Sequence, residues 1–198
     1  FAQQGSVPTA VRVALSGKPG ELVVSWTTFN KTATSIVQYT CPGSAPQTVT
    51  GNAIVFVDPN PLQIVRFIHT AVIVNLPPSA ACDYVVGDAE GGWSPSLSFK
   101  TPVNGDEVLN MIVYGDLGLV NSVSMGLIQQ EVQSGAVDIV LHTGDYAYDL
   151  HTDDGMLGDI WLHVMQPITS AVPYMGRFRV DGLIIPAPVV IKICKPVW

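Results

Sequence analysis

Two stretches with a shared ending, Met111-Ile112-Val113-Tyr114-Gly115-Asp116-Leu117-Gly118 and Ile139-Val140-Leu141-His142-Thr143-Gly144-Asp145-Tyr146-Ala147-Tyr148-Asp149, decide how this 198-residue chain is read. The first belongs to an apolar run, Val108 to Tyr114, with one interruption; the second opens at Asp138. Such runs suit strands buried on both faces of a sheet. Between them Asn121 can cap a helix whose apolar positions Val123, Leu127, Ile128 and Val132 recur near every 3.6 residues, and Gly135 ends it. Strand, helix, strand in this order predicts two parallel strands joined by a right-handed crossover. Ligands of open α/β sheets bind at the carboxyl ends of the strands, and neighbouring strands lie roughly 4.8 Å apart, so Asp116 and Asp145 are expected to face one crevice. Two buried carboxylates that close repel unless one is protonated or a cation neutralises them; oxygen donors at this spacing suit two metal ions about 3.5–4 Å apart. One Gly-Asp after a strand is an ordinary turn, and its recurrence 29 residues later, after the next strand, makes the pair informative.

Upstream the period changes. Val11/Val13/Leu15 and Leu22/Val24/Trp26 alternate with a period of two around the turn Gly17-Lys18-Pro19-Gly20. Ser35 to Tyr39, Ile54 to Val57, Phe67 to Val74, Tyr84 to Gly87 and Leu97 to Lys100 are further strand candidates, separated by Pro- and Gly-rich turns. About seven short strands in a hundred residues predict a sandwich of two antiparallel sheets. Trp26 and Trp93 are read as core or edge packing, His69 as structural, and Tyr84 as a tyrosine corner. The polar stretch 102–107 is the expected linker. The organisation predicted is a sandwich over 1–101, this linker, a partial α/β domain over 108–175 and an apolar, Pro-rich tail over 176–198.

Composition narrows the function. Nine basic against sixteen acidic residues give a net charge of −7, and only 13% of residues are charged, which excludes basic-patch binding to nucleic acid or anionic membrane. Mean hydropathy is +0.35, yet no stretch approaches the roughly 20 apolar residues of a spanning helix. Eighteen glycines and fifteen prolines favour turns and short elements. Three cysteines, Cys41, Cys82 and Cys194, leave one unpaired at best, so a disulfide framework is not indicated, and a single Cys41–Cys82 bridge stays open. No Gly-x-Gly-x-x-Gly, Gly-Lys-Ser/Thr or Gly-x-Ser-x-Gly pattern occurs, which argues against dinucleotide binding, a P-loop and a serine hydrolase. Asn30-Lys31-Thr32 is a glycosylation sequon. Low charge with abundant Ser and Thr points to a secreted protein; a chain that starts at Phe1, with no charged-then-apolar leader before Val7, has had any signal removed or never carried one here.

The chemistry-bearing residues resemble the purple acid phosphatases, within the calcineurin-like metallophosphoesterases. Asp116-Leu117-Gly118 is similar to that family's Asp-x-Gly block and Gly144-Asp145-Tyr146-Ala147-Tyr148 to its Gly-Asp-x-x-Tyr block. The likeness extends through Gly158-Asp159, Gln166-Pro167 and Val172-Pro173-Tyr174-Met175, and through Val24-Ser25-Trp26-Thr27-Thr28 to the family's fibronectin-like N-terminal domain. The resemblance implies a fibronectin type III-like sandwich followed by an incomplete α/β metallophosphoesterase domain, and hydrolysis of phosphate monoesters. It further implies that Asp116 ligates Fe(III), that Asp145 bridges it to a divalent zinc, manganese or iron, and that Tyr148 binds the ferric ion as a coloured phenolate. Tyr146 and Asp149 have no ligand role in the pattern, His142 is read as structural, and His151 and His163 match no ligand.

The family's Gly-Asn-His-Asp/Glu block and later histidines have no counterpart: Met175 is followed by Gly176-Arg177-Phe178-Arg179-Val180, and His163 is the last histidine. With three of about seven ligands, the 198 residues alone are expected to be inactive, and 176–198 to be a foreign reading such as translation into an unspliced intron. The rival expectation is a non-catalytic binding or regulatory protein that works through its sandwich. A diesterase or pyrophosphatase of the same superfamily is not separable on these residues.

Overall fold

A computed structural model describes residues 5–103, 108–120, 122–146, 148 and 150–176. Asn121, Ala147, Asp149, most of the expected linker, and the tail from 177 with Cys194 lie outside the described residues.

The first half is built from nine strands: β1 (Thr9–Leu15), β2 (Leu22–Thr28), β3 (Ile36–Thr40), β4 (Gln47–Thr50), β5 (Asn52–Val57), β6 (Val65–Ile73), β7 (Ala81–Asp88), β8 (Gly92–Trp93) and β9 (Leu97–Lys100). They form two antiparallel sheets, one ordered β1-β2-β6-β5, the other β4-β3-β7-β8 with β9 also on β7. The expected sandwich is therefore present. Alternation drives it: Leu22, Val24 and Trp26 of β2 point inward with Val11, Val13 and Ile73, and meet Val37, Tyr84, Val86 and Phe99 of the second sheet. Cys41 and Cys82 form a disulfide inside this core, the pairing that cysteine counting left open. His69 is structural as expected: it stacks on Trp26, accepts from Ser35 Oγ at Nδ1 (2.8 Å) and donates from Nε2 to Thr28 Oγ1 (2.9 Å), whose own hydroxyl is spent on the Asn30 carbonyl. β4 and β8 were not foreseen, the first polar except for Val49 and the second two residues long.

The second half contains β10 (Met111–Tyr114), α1 (Met125–Gln133), β11 (Ile139–His142), α2 (Met156–Thr169) and β12 (Tyr174–Gly176). The three strands form a parallel sheet ordered β10-β11-β12. The predicted strand, helix, strand unit is there, with three corrections. β10 is half exposed rather than buried on both faces, because it is a sheet edge among the described residues. α1 starts at Met125 behind Ser124, not behind Asn121. Its inward face is Met125, Ile128 and Val132, whereas Val123 and Leu127 are 92% and 65% exposed: Val123 precedes the helix, and Leu127 lies a quarter-turn off that face. Trp161, Met165 and Ile168 of α2 complete the second core with Val140. Gly176, the first residue of the expected tail, pairs with His142 as the end of β12.

The two halves interlock through α2. Val11 in β1 donates its N–H to Gln166 Oε1 (3.0 Å) and accepts from Thr169 Oγ1 (3.0 Å). Both groups are available because β1 carries an irregularity between Thr9 and Arg12. Tyr84 does not form a corner within the sandwich: its buried hydroxyl donates to the Ser170 carbonyl at 2.8 Å, at the end of α2. A second tie joins Lys100 to Asp138 at 2.6 Å. Among the described residues no helix is long and apolar enough to cross a membrane.

Candidate functional site

β10 and β11 end side by side, and each continues into its Gly-Asp turn. The structure brings Asp116 and Asp145 together: the Asp145 N–H donates to Asp116 Oδ1 at 2.9 Å. The Tyr148 hydroxyl lies near the same Asp116 carboxylate, near enough for each to shift the other's titration. The structure thus brings the three residues together, but the two aspartates are not the buried pair that the sequence reading expected. Both carboxylates are exposed, and Tyr148 is 47% exposed; the two aspartates lie in the turns between the strand ends and the parallel bridge that pairs Leu117 with Tyr146.

Backbone geometry singles out the same residues. Asp116 has φ 55° and Tyr148 φ 36°, left-handed conformations that non-glycine residues adopt only when surrounding structure imposes them. Gly144 supplies the room: a Cβ there would run into the Asp116 carboxylate and come within 2.5 Å of the Asp116 nitrogen. The first turn is also held from below, since Trp161 Nε1 of α2 donates to the Leu117 carbonyl at 3.0 Å.

Under the second turn runs a chain of hydrogen bonds that sequence reading missed. His142 is fully buried, ringed by Tyr114, Tyr146, Trp161 and Tyr174. Its Nε2 faces the Asp145 carbonyl at 3.0 Å, and a carbonyl only accepts, so the proton sits on Nε2. Nδ1 then accepts from the Tyr174 hydroxyl at 2.6 Å, and Tyr174 accepts from Tyr114 at 2.7 Å. One directed chain crosses all three strands and ends on the backbone of Asp145. Burial pushes the His142 imidazole below its ordinary value, which keeps this neutral form, and burial pushes the Tyr114 phenol up to about 12. The available signal was positional: His142 ends β11, and Tyr114 and Tyr174 occupy neighbouring strands.

The electrostatics of the three oxygen groups differ. The Asp145 N–H, joined by the Tyr148 hydroxyl, holds the Asp116 carboxyl below the usual range, so it is an anion at mildly acidic pH. Desolvation, with the Asp116 hydrogen bond and charge behind it, raises the Tyr148 phenol. Two carboxylates and a phenol are hard oxygen donors that suit Fe(III) or a divalent ion of similar hardness, and the Gly144 cradle keeps the Asp116 carboxylate in reach of its partners. Among the described residues no third His, Cys, Asp or Glu side chain joins them. His151 and His163 stay away from the group: His163 Nδ1 faces Thr9 Oγ1 at 3.4 Å, and the His151 carbonyl accepts from Asn60.

Residues 8–101 match the family described as Purple acid Phosphatase, N-terminal domain. Acid phosphatase type 7 of Danio rerio is 35% identical over 175 residues, covering 86% of this chain and 39% of that protein. The Homo sapiens protein of the same name is 32% identical over 172 residues, again covering 86% and 39%. The chain belongs to the purple acid phosphatase family. It spans about two-fifths of the length of the curated relatives it matches. A solved purple acid phosphatase isolated from yellow lupin (Lupinus luteus) seeds superposes with a TM-score of 0.69 at 22% identity, covering 86% of this chain and 34% of that one, so the two share a fold. Within the purple acid phosphatase family, the sandwich of this chain is the N-terminal domain.

Proposed function

We propose that this chain carries the sandwich and the first metal-ligating residues of an acid phosphatase, a hydrolase of phosphate monoesters with a binuclear centre of Fe(III) and divalent zinc, manganese or iron. The observation that carries the reading is the hydrogen bond that joins Asp145 to Asp116 at the carboxyl ends of two adjacent parallel strands, with Tyr148 beside them. Asp116 and Tyr148 would hold the ferric ion and Asp145 would stand between the two ions. A bound ferric ion supplies the Lewis acidity that generates hydroxide from water at acidic pH. The chain itself contributes orientation: His142 holds the Asp145 carbonyl from beneath, and Trp161 holds the Asp116 turn. Tyr148 must give up its proton to bind as a phenolate, and its raised pKa opposes that, so metal uptake through Tyr148 strengthens as pH rises.

Because His163 is the last of the four histidines and the donor set stops at three, the 198 residues alone are proposed not to turn over. The partial metallophosphoesterase domain is placed at 108–175, after a linker at 102–107, with the remainder a tail of foreign origin. A secreted location is proposed because disulfides persist in oxidising compartments and the Asn30 sequon is exposed; loss of mass on treatment with a peptide N-glycosidase tests the sequon. Titration with ferric citrate tests the site. A visible phenolate band that Tyr148→Phe abolishes is expected, without phosphate release from a monoester at acidic pH. A chain that never develops the band overturns the metal assignment.

A further inference from the structure

A buried ionic knot between the sandwich and the α/β half plays no part in the ligand set. Arg66 of β6 has a side chain only 7% exposed. Its Nε and Nη2 donate to Asp159 Oδ1 and Oδ2 at 2.9 and 2.7 Å, a two-pronged grip at the start of α2. Nη2 also donates to the Asp154 carbonyl at 2.9 Å, and Nη1 faces Asp58 Oδ2 at 3.5 Å. The rest of the β5–β6 hairpin grips the same segment. Asn60 Nδ2 donates to the His151 carbonyl at 2.9 Å, and the Leu62 N–H donates to Asp154 Oδ1 at 3.0 Å. Gly155, at φ 78°, is the N-cap of α2 and lies so close that a Cβ would come within 2.6 Å of Asp58 Oδ2 and 2.8 Å of Arg66 Nη2.

The gripped segment begins three residues after Tyr148. Tyr148, Asp153 and Asp154 all hold left-handed backbone, φ 36°, 52° and 55°, and a loop with three such residues keeps its shape only while both ends are fixed. Its first end is fixed at Asp145 by the His142 bond described above. Its second end is fixed by the sandwich. A further interdomain ion pair, Lys100 with Asp138, sits before β11 and touches none of this loop.

We infer that Arg66 is a positioning residue: by clamping Asp154 and Asp159 it lets the sandwich hold the loop that carries Tyr148 at the Asp116 carboxylate. The consequence for metal binding rests on the phosphatase reading, whereas the clamp on the loop does not. The test uses the full chain with Arg66→Met, Arg66→Lys and, as a control for general loosening of the interface, Lys100→Met. Two readouts are taken: amide hydrogen exchange of residues 150–159 without metal, and the phenolate band on titration with ferric citrate. Arg66→Met is expected to speed exchange in 150–159 at least tenfold and to weaken ferric uptake at least tenfold. Arg66→Lys, which keeps the charge and loses the two-pronged geometry, falls between and serves alone if Arg66→Met does not fold. Lys100→Met leaves both readouts within twofold of the parent. Unchanged exchange in the Arg66 variants, equal loss in Lys100→Met, or faster exchange with an unaltered band would each overturn the inference. If the parent itself shows no band, the metal assignment falls and the exchange readout alone decides the clamp.

Discussion

His69 and His142 show how much one proton matters in each half. Both are buried, and each has one ring nitrogen that accepts from a hydroxyl, so protonation would break a bond in each core. Burial lowers both imidazoles, with the Asp88 charge opposing the shift at His69 and the Asp116 and Asp145 charges opposing it at His142. In the unfolded chain both titrate near about 6.5. Below that pH the unfolded state takes up protons that the native state excludes, so the stability they contribute is complete above about 6.5 and is lost as pH falls towards the lowered native values. The unfolding midpoint is therefore expected to drop between about pH 7 and pH 5, and His69→Gln to flatten that slope; a midpoint that holds constant across the window refutes it. The residue types of the site were legible, because a repeated strand-Gly-Asp ending needs no knowledge of distant contacts. The exposure of the carboxylates was not, since it depends on what lies over the sheet.

At the level of elements, alternation revealed seven of the nine sandwich strands, and failed where no period exists: β4 has no buried residue, and β8 is too short to have a pattern. The helix register failed for a different reason. Spacing near 3.6 fits several faces of a nine-residue helix, and only packing on α2 selects Met125, Ile128 and Val132. Tyr84 illustrates the same limit, its partner being 86 residues away in another half of the molecule. The disulfide from the end of β3 to β7 closes a loop with a sequence separation of 41. Chain-entropy arguments put its contribution at about 4 kcal/mol. Reduction with dithiothreitol, followed by denaturant unfolding of the sandwich, is expected to lower the midpoint accordingly, and reduced and oxidised protein with the same midpoint would contradict it.

Across the whole molecule the two edges of the first sheet are treated unequally. The β1 edge is capped by Gln166 and Thr169 of α2. Among the described residues the β5 edge is bare: all six of its residues are exposed, with Ile54 at 61% and Val55 at 60%, and it carries no charge or proline to repel a partner strand. Val55→Lys is expected to reduce concentration-dependent self-association of this chain in sedimentation velocity, and identical profiles for variant and parent would refute that. The capped edge carries a consequence for biosynthesis. Gln166 follows Lys100, the end of the last sandwich strand, by 66 residues, and at about 5–20 residues per second a ribosome adds it roughly 3–13 s after the sandwich is complete. During that interval a sandwich that could already have folded displays two open edges instead of one, and the nascent chain meets the cell's chaperones in that state.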